Sequence, residues 1–379
     1  MTVEILPAGM AMIGNPIRVK IFAPGEKFVQ IQVKHGNAEI FAASGVPDVN
    51  RNIEFSIEDV LSELVSSRQV ESSELLVSLP EMRANYMVIV TGESGIKQRL
   101  EGECFTGGVS KNELRKFLDI NFLETFKILN RNGNFFLTTR TQQDVISMRE
   151  SEIYPLYFIH PGGIIRVEDS SGNNVVLPDG VERIPYVLNL PLIRKQFLEA
   201  GTLSNYFKVF LDDICACCIV LTPAVDADDR YLLQFKNSYG AFERIEVTGF
   251  PTLEQKYDNT DAQYVKYDDD IHGFSSSTKK VKANRTIKTH TGYKTPEEIN
   301  LISDLLSSDE IQLLTMNADV YKVLVSAQKV EQKLLAYVLP ESIQLDIKFI
   351  DQDAYNTPRV VGNVLANRIF SIHFDETFN

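Results

Sequence analysis

The sequence predicts a mainly β protein with a few short helices and some α+β character, built as tandem β-sandwich or β-barrel-like modules. Three observations lead there. Apolar and polar residues alternate with period two along much of the chain, the spacing of a strand with one buried face. Gly, Pro, Asn and Ser punctuate these runs as turns do. Only a few short stretches carry helical spacing, and no repeat of solenoid period is present. At 379 residues the chain has room for more than one core, and the pattern divides it into residues 1–105, 106–249 and 250–379.

In the first module, "IRVKIFA", "FVQIQVKH", "LLVSLP" and "YMVIVTG" read as strands. One short helix interrupts them: Ser56 is placed to cap "IEDVLSELV", which sets Val60, Leu61, Leu64 and Val65 on one face.

The second module opens on "TGGVSKNELRKFL", where Ser110 and Glu113 have capping-box spacing and Leu114, Phe117 and Leu118 form an apolar stripe. Strands follow in "NFFLTT", "LYFIH", "IIRVED", "YVLNL", "FKVFL" and "CCIVL", with a helix near Ile193 to Leu198. The module ends in "FKNSYGAFERIEVTG". Tyr231, Leu233 and Phe235 alternate on one side of its turn and Ala241, Ile245 and Val247 on the other. Gly240 can supply the positive φ of a tight turn. Phe242 and Arg244 fall on the face opposite Ile245, which makes them, with Tyr239, expected subunit contacts.

The third module holds a basic arm or edge hairpin at 275–294, with six Lys or Arg and no acid. Lys279, Lys280, Lys282 and Arg285 are its expected contact residues, since like-charge runs serve as interaction arms. A helix over 295–306 follows. Thr295 is the N-cap, Pro296 suits the first turn, Glu298 completes a capping box, and Ile299, Ile302, Leu305 and Leu306 line one face. Strand alternation resumes in "IQLLT", "VYKVLVSA" and "IQLDIKFI".

Composition narrows the function classes. A net charge of −13 argues against nucleic acid as a partner, because such binding neutralises phosphates with Lys and Arg. No apolar run approaches the ~20 residues that span a bilayer, and the first ten residues lack a secretory leader pattern. No membrane insertion or Sec export is expected.

The four cysteines, Cys104, Cys215, Cys217 and Cys218, do not make a disulfide framework. "CACC" offers soft ligands but not the two spaced pairs of a zinc site, so buried strand positions are the better reading. Asp226, Asp228 and Asp229, and Asp268 to Asp270, lack the Gly and closing Glu of a calcium loop. His35, His160, His272, His290 and His373 form no HExxH pair. "TGGVSK" lacks phosphate-loop spacing. Nothing indicates a paired-carboxylate glycosidase. The expectation is a protein without catalytic residues, metal or cofactor.

"CFTGGVSKNELRKF", "NFFLTTRT", "ESEIYPLYFIHPGG", "FKNSYGAFERIEVTG" and "THTGYKTPEEINLISDLLSSDEIQLL" resemble, in that order, structural proteins encoded by tailed phages and prophages of Bacteroidetes. The resemblance covers about residues 103–350 and leaves residues 1–102 without a counterpart. It implies a non-enzymatic virion component of the tail or baseplate, assembled in the host cytoplasm. Its partners would be copies of itself in a ring and other virion proteins, met through sheet edges and loops. The alternative from another class is a carbohydrate-binding adhesin module, against which the lack of Trp weighs. A hydrolase of cell wall or polysaccharide comes last.

Overall fold

The structure is a computed structural model that describes residues 1–110, 123, 127, 133–142, 144–224, 231–258, 263–278, 282–314, 320–330 and 341–350. It is mainly β, with several separate sheets and a few helices, as tandem β-sandwich modules require. The chain divides into two compact units. Met1–Thr222 with Lys236–Glu243 forms the first, and Pro223–Phe235 with the chain from Arg244 onward forms the second.

The boundary expected after residue 105 falls inside the first unit. Met10–Met12 pairs in parallel with Lys97–Phe105, while Leu76–Ser78 joins Leu156–Ile159 and Pro185–Leu188 in one sheet. Met10, Met12, Leu79, Met82 and Phe105 share one core with Leu137, Tyr157, Ile159 and Val187. Alternation tells which face of a strand is buried, but not which distant segment covers it.

The first unit contains two further cores. In one, a sheet ordered Met10–Met12, Lys97–Phe105, Arg83–Gly92, Val29–His35, Ala38–Gly45 shares its apolar face with Thr2–Leu6, Arg18–Phe22 and Asn52–Ser56. Val19 and Ile21 come from one sheet and Ile31, Val33, Val88 and Val90 from the other, all fully buried. The helix is Glu58–Ser62; its N-cap is Ile57, without a side-chain cap, because Ser56 ends the strand that pairs with Arg18. In the other core, a sheet ordered Thr141–Gln142, Val145–Arg149, Ile214–Thr222, Tyr206–Leu211, Ile165–Asp169, Asn174–Val176 packs with the three-stranded sheet and the helix Leu190–Glu199. Asn189 caps that helix by accepting from Leu192 N at 3.2 Å, and Ile193 and Phe197 point inward. Phe135, Phe136 and Phe158 meet here with ring centroids 4.8 to 5.6 Å apart. The helix expected after Ser110 lies outside the described residues.

The second unit is a seven-stranded sheet ordered Phe242–Val247, Tyr231–Lys236, Ile311–Leu314, Val320–Ser326, Glu341–Phe349, Lys282–Lys294, Thr252–Asp258. The helix Pro296–Ser307 forms with its capping box: Glu298 Oε2 accepts from Thr295 N at 2.8 Å, and Thr295 Oγ1 from Glu298 N at 3.4 Å. Ile299, Ile302 and Leu305 are buried against the sheet. Gln263–Asp268 and Gly273–Thr278 form a separate two-stranded sheet.

Of the two readings of the basic segment, arm or edge hairpin, the pairing fits the second: residues 275–278 belong to that two-stranded sheet, residues 279–281 lie outside the described residues, and the remainder runs beside the edge strand Thr252–Asp258. Lys282–Lys294 is an interior strand, hydrogen-bonded to Thr252–Asp258 and Glu341–Phe349. Ile287 and Thr289 face the core, and Lys288, on the outer face, pairs with Glu254 at 2.7 Å. Lys294 is fully buried; its ammonium donates to Glu246 O at 2.7 Å and lies 3.6 Å from Glu298. A strand with cations on its outer face looks like an arm when only charge is read.

Candidate functional site

The tip of the hairpin of Tyr231–Lys236 and Phe242–Val247, residues 236–243, belongs to the first unit. Asn237 organises the turn: its Oδ1 accepts from Tyr239 N at 3.0 Å and Ala241 N at 2.9 Å, while its Nδ2 donates to Leu137 O at 3.0 Å. Gly240 has φ +78°, and a Cβ there would meet Thr106 at 2.7 Å. The Tyr239 backbone lies so close to Gly107 that a Cβ on that glycine would sit 2.2 Å from the Tyr239 carbonyl carbon.

Charge gathers behind this turn. Glu243 is fully buried and accepts from Asn237 Nδ2 at 2.6 Å and Thr139 N at 2.9 Å. Arg140 lies 2.7 Å from Glu152 and 3.5 Å from Glu243, with all three side chains at most 3% exposed. Burial opposes the charge on Arg140, and Glu152 and Glu243 beside it more than restore it, so its pKa is raised. Burial raises the Glu243 carboxyl despite the pull of Arg140. Lys127 donates to Phe136 O at 2.8 Å, lies 5.1 Å from the centre of the Tyr239 ring, and is pushed down by burial to about 8. No short-range spacing links Arg140, Glu152 and Glu243, so the sequence does not mark them as a group. Their mutual bonds make them a structural lock rather than an exposed reactive centre.

The expected contact residues are therefore scattered. Phe242 is buried, its ring 6.4 Å from that of Tyr157, so it belongs to the chain's own core and not to an exposed face. Both strands of this hairpin are covered on both faces for most of their length, a case that alternation alone does not reveal. Tyr239 is half-buried over Lys127, and Arg244 is half-buried with its Nε donating to Gln234 at 2.7 Å. Arg285 is half-buried in the interior strand, and Lys282 begins that strand. Lys279 and Lys280 lie outside the described residues.

The cysteines follow the strand. Cys104 and Cys217 are buried, Cys215 is exposed, and Cys218 is half-buried with its Sγ 3.0 Å from the Tyr206 hydroxyl. A register shift beside Val209 and Phe210 lets Ala216 and Cys217 both face the core. Burial pushes the Cys104 thiol up to about 12 and raises that of Cys217 as well. Among the described residues, no group of three or more His, Cys, Asp or Glu is placed to hold a metal ion. Asp226, Asp228 and Asp229 lie outside the described residues. His160 is buried, accepts from Gly162 N at 3.1 Å, and has its pKa lowered by burial.

One open cleft combines accessible donors and acceptors. Its floor is the outer face of three neighbouring strands, where the register aligns Lys34 with Met87 and Met87 with Glu101, and in the next row Asn85 with Glu103. Gly9, Gly36 and Arg183 complete the lining, and the volume is about 450 Å³. On the inner face of the same strands the Tyr86 ring lies across Gly102, where a Cβ would meet it at 2.5 Å. Arg83 fixes Glu103 through a 2.7 Å ion pair, and His35 Nδ1 lies 2.8 Å from Asn85 O. The floor is rigid because these strands pair over most of their length and bury Val33, Val88 and Cys104 beneath it. The cleft presents two cations, two carboxylates, an amide and the flexible thioether of Met87.

No family model matches the chain, and neither does any curated protein. Among solved structures, the periplasmic chaperone SfaE aligns at 9% identity over 59% of this chain and 100% of its own, with a TM-score of 0.19. A bacterial ice-binding adhesin aligns at 10% identity over 76% of this chain and 91% of its own, with a TM-score of 0.15. The glucan-utilisation protein SGBP-B of Bacteroides ovatus, solved with a mixed-linkage heptasaccharide, aligns at 10% identity over 89% of this chain and 74% of its own, with a TM-score of 0.19. Likenesses at these scores carry no argument about what this chain does.

Proposed function

We propose that the chain is a non-catalytic recognition protein that binds a carbohydrate of a cell or particle surface at the cleft of Lys34, Asn85, Met87, Glu101, Glu103 and Arg183, as an adhesin module does. The observation that carries this reading is the cleft's composition. Sugar hydroxyls donate and accept, and the cleft presents both kinds of partner around one apolar side chain on a rigid floor. Met87 would take the place of the aromatic platform that a chain without Trp does not offer here. Glycan-array screening of the full chain, followed by calorimetry, tests it. The Lys34→Ala and Arg183→Ala variants should each weaken binding about tenfold, or ~1.4 kcal/mol. A wild-type chain that binds no glycan, or one whose binding ignores both substitutions, refutes the assignment.

A second reading is a structural component of a virion, acting through contacts between copies. The specific observation in its favour is the two-stranded sheet of Gln263–Asp268 and Gly273–Thr278. It joins no other described strand and exposes Tyr267 and Phe274, and such a ribbon is marginally stable in water when nothing covers it. Detection of the chain in purified intact particles by mass spectrometry supports this reading, and its absence from them refutes it.

A further inference from the structure

The ribbon and the outer face of the seven-stranded sheet are chemically complementary. In the ribbon, Val265 and Tyr267 lie on one face, and Phe274 stands opposite Tyr267 in the register. The two rings meet edge to face with centroids 5.4 Å apart, yet Phe274 is 73% exposed. The turn that closes the ribbon carries Asp268, Asp269 and Asp270, and the exposed Ile271 follows them. An apolar face next to three carboxylates disfavours an anionic membrane or a nucleic acid as its cover. It suits a protein surface with apolar side chains bordered by cations.

The chain itself provides such a surface. On the strand Val320–Ser326, Tyr321, Val323 and Val325 face the core, so Val320, Lys322 and Leu324 face outward. Leu324 is 56% exposed and stands opposite Lys348 in the register. Farther across the same face lie Lys288 and Lys256, both beside Glu254, and Asp346. Among these described side chains, four lysines stand against two carboxylates on this face, in a chain whose net charge is −13. Two large apolar residues, Val320 and Leu324, remain more than half exposed among those cations.

We infer that the chain self-associates by seating the Tyr267/Phe274 ribbon of one copy on the Leu324 face of another, with Asp268 to Asp270 set against Lys322 and Lys348. This rests on the assembly reading and is independent of the cleft. The contact covers the exposed Val265, Tyr267 and Phe274, and each copy carries both halves of it. Opposite charges at the rim govern register and rate more than affinity, so the association should weaken as salt screens them.

Sedimentation of the full chain over a range of concentrations tests the contact. Wild type should associate, about tenfold more weakly at ~0.5 M than at ~0.05 M salt. K322E/K348E and D269K/D270K should each remain monomeric with unchanged circular dichroism, and an equimolar mixture of the two should associate again. Zero-length carbodiimide cross-linking of a mixture of isotopically light and heavy wild-type protein provides a readout that needs no variant. Links should join Asp268–Asp270 of one copy to Lys322 or Lys348 of the other. Association that persists in both charge-reversed proteins, or intermolecular links only elsewhere, overturns this contact and leaves the assembly reading standing. A wild-type chain that is monomeric at every concentration overturns both.

Discussion

Replacing Arg140 with Met removes the cation between two carboxylates that have almost no access to water. Glu152 is 1% and Glu243 0% exposed, at 2.7 and 3.5 Å from the guanidinium. With an effective dielectric of about 20, those separations correspond to gross attractions of roughly 6 and 5 kcal/mol. Most of that offsets the desolvation of the three groups, so the expected net loss is about 3–5 kcal/mol, the usual cost of leaving a buried charge without its partner. Glu243 keeps its hydrogen bonds from Thr139 N and Asn237, which places the expected loss at the lower end.

The pH dependence has a definite sign. Without Arg140, the burial that already raises the Glu243 carboxyl above its unfolded value goes unopposed by that cation. The penalty is then full at neutral pH, shrinks as pH falls through the raised value, and vanishes below the ordinary carboxylate range near 4.3. Urea unfolding of wild type and R140M at about pH 7 and about pH 5 measures it. A difference below about 1 kcal/mol at pH 7, or one that does not shrink at pH 5, refutes the claim that this network is a charged lock.

Three further outcomes follow from the same structure. Gly107→Ala forces a Cβ to within 2.2 Å of the Tyr239 carbonyl carbon from a backbone at φ +84°; the expected cost is about 1–3 kcal/mol or more, and an unchanged thermal midpoint contradicts it. His160, with its pKa lowered by burial, contributes stability that is present above its unfolded value near 6.5 and is lost as pH falls through its lower folded value. Urea titrations should show that acid-side loss diminished in His160→Phe, and an identical slope in both proteins rules it out. Brief iodoacetamide treatment of the folded protein should label Cys215 first and spare Cys104 and Cys217 until urea is added; peptide mapping that finds Cys104 or Cys217 modified in the folded state contradicts their burial.

Where strands alternate cleanly, the fold was legible residue by residue. Val29–His35 and Val320–Ser326 bury the positions that their period-two pattern marks, and the Thr295 capping box sits where Thr, Pro and Glu spacing placed it. The hairpin around Tyr239 was legible as a hairpin and illegible as a site. Phe242 alternates like an outward residue, yet it is buried in a core shared with Tyr157, Leu137 and Phe105, which come from distant parts of the chain. Lys282–Lys294 misled in the opposite way. Its charges masked an interior strand, because a sheet that packs on one face tolerates lysine on the other. The cleft left no trace in sequence: Lys34, Met87 and Glu101 become neighbours only through strand register, and Arg183 arrives from a loop about 80 residues farther along the chain.

The claim that this chain recognises rather than transforms a surface carbohydrate meets its most direct test in a single titration. Calorimetry would use the best glycan from an array against wild type and a Lys34→Ala/Met87→Ala/Arg183→Ala variant, with the ligand recovered and weighed by mass spectrometry afterward. The account predicts saturable wild-type binding, at least about a hundredfold weaker in the variant, or ~2.8 kcal/mol, with the glycan returned intact. A shortened glycan, or full affinity in the triple variant, would contradict it.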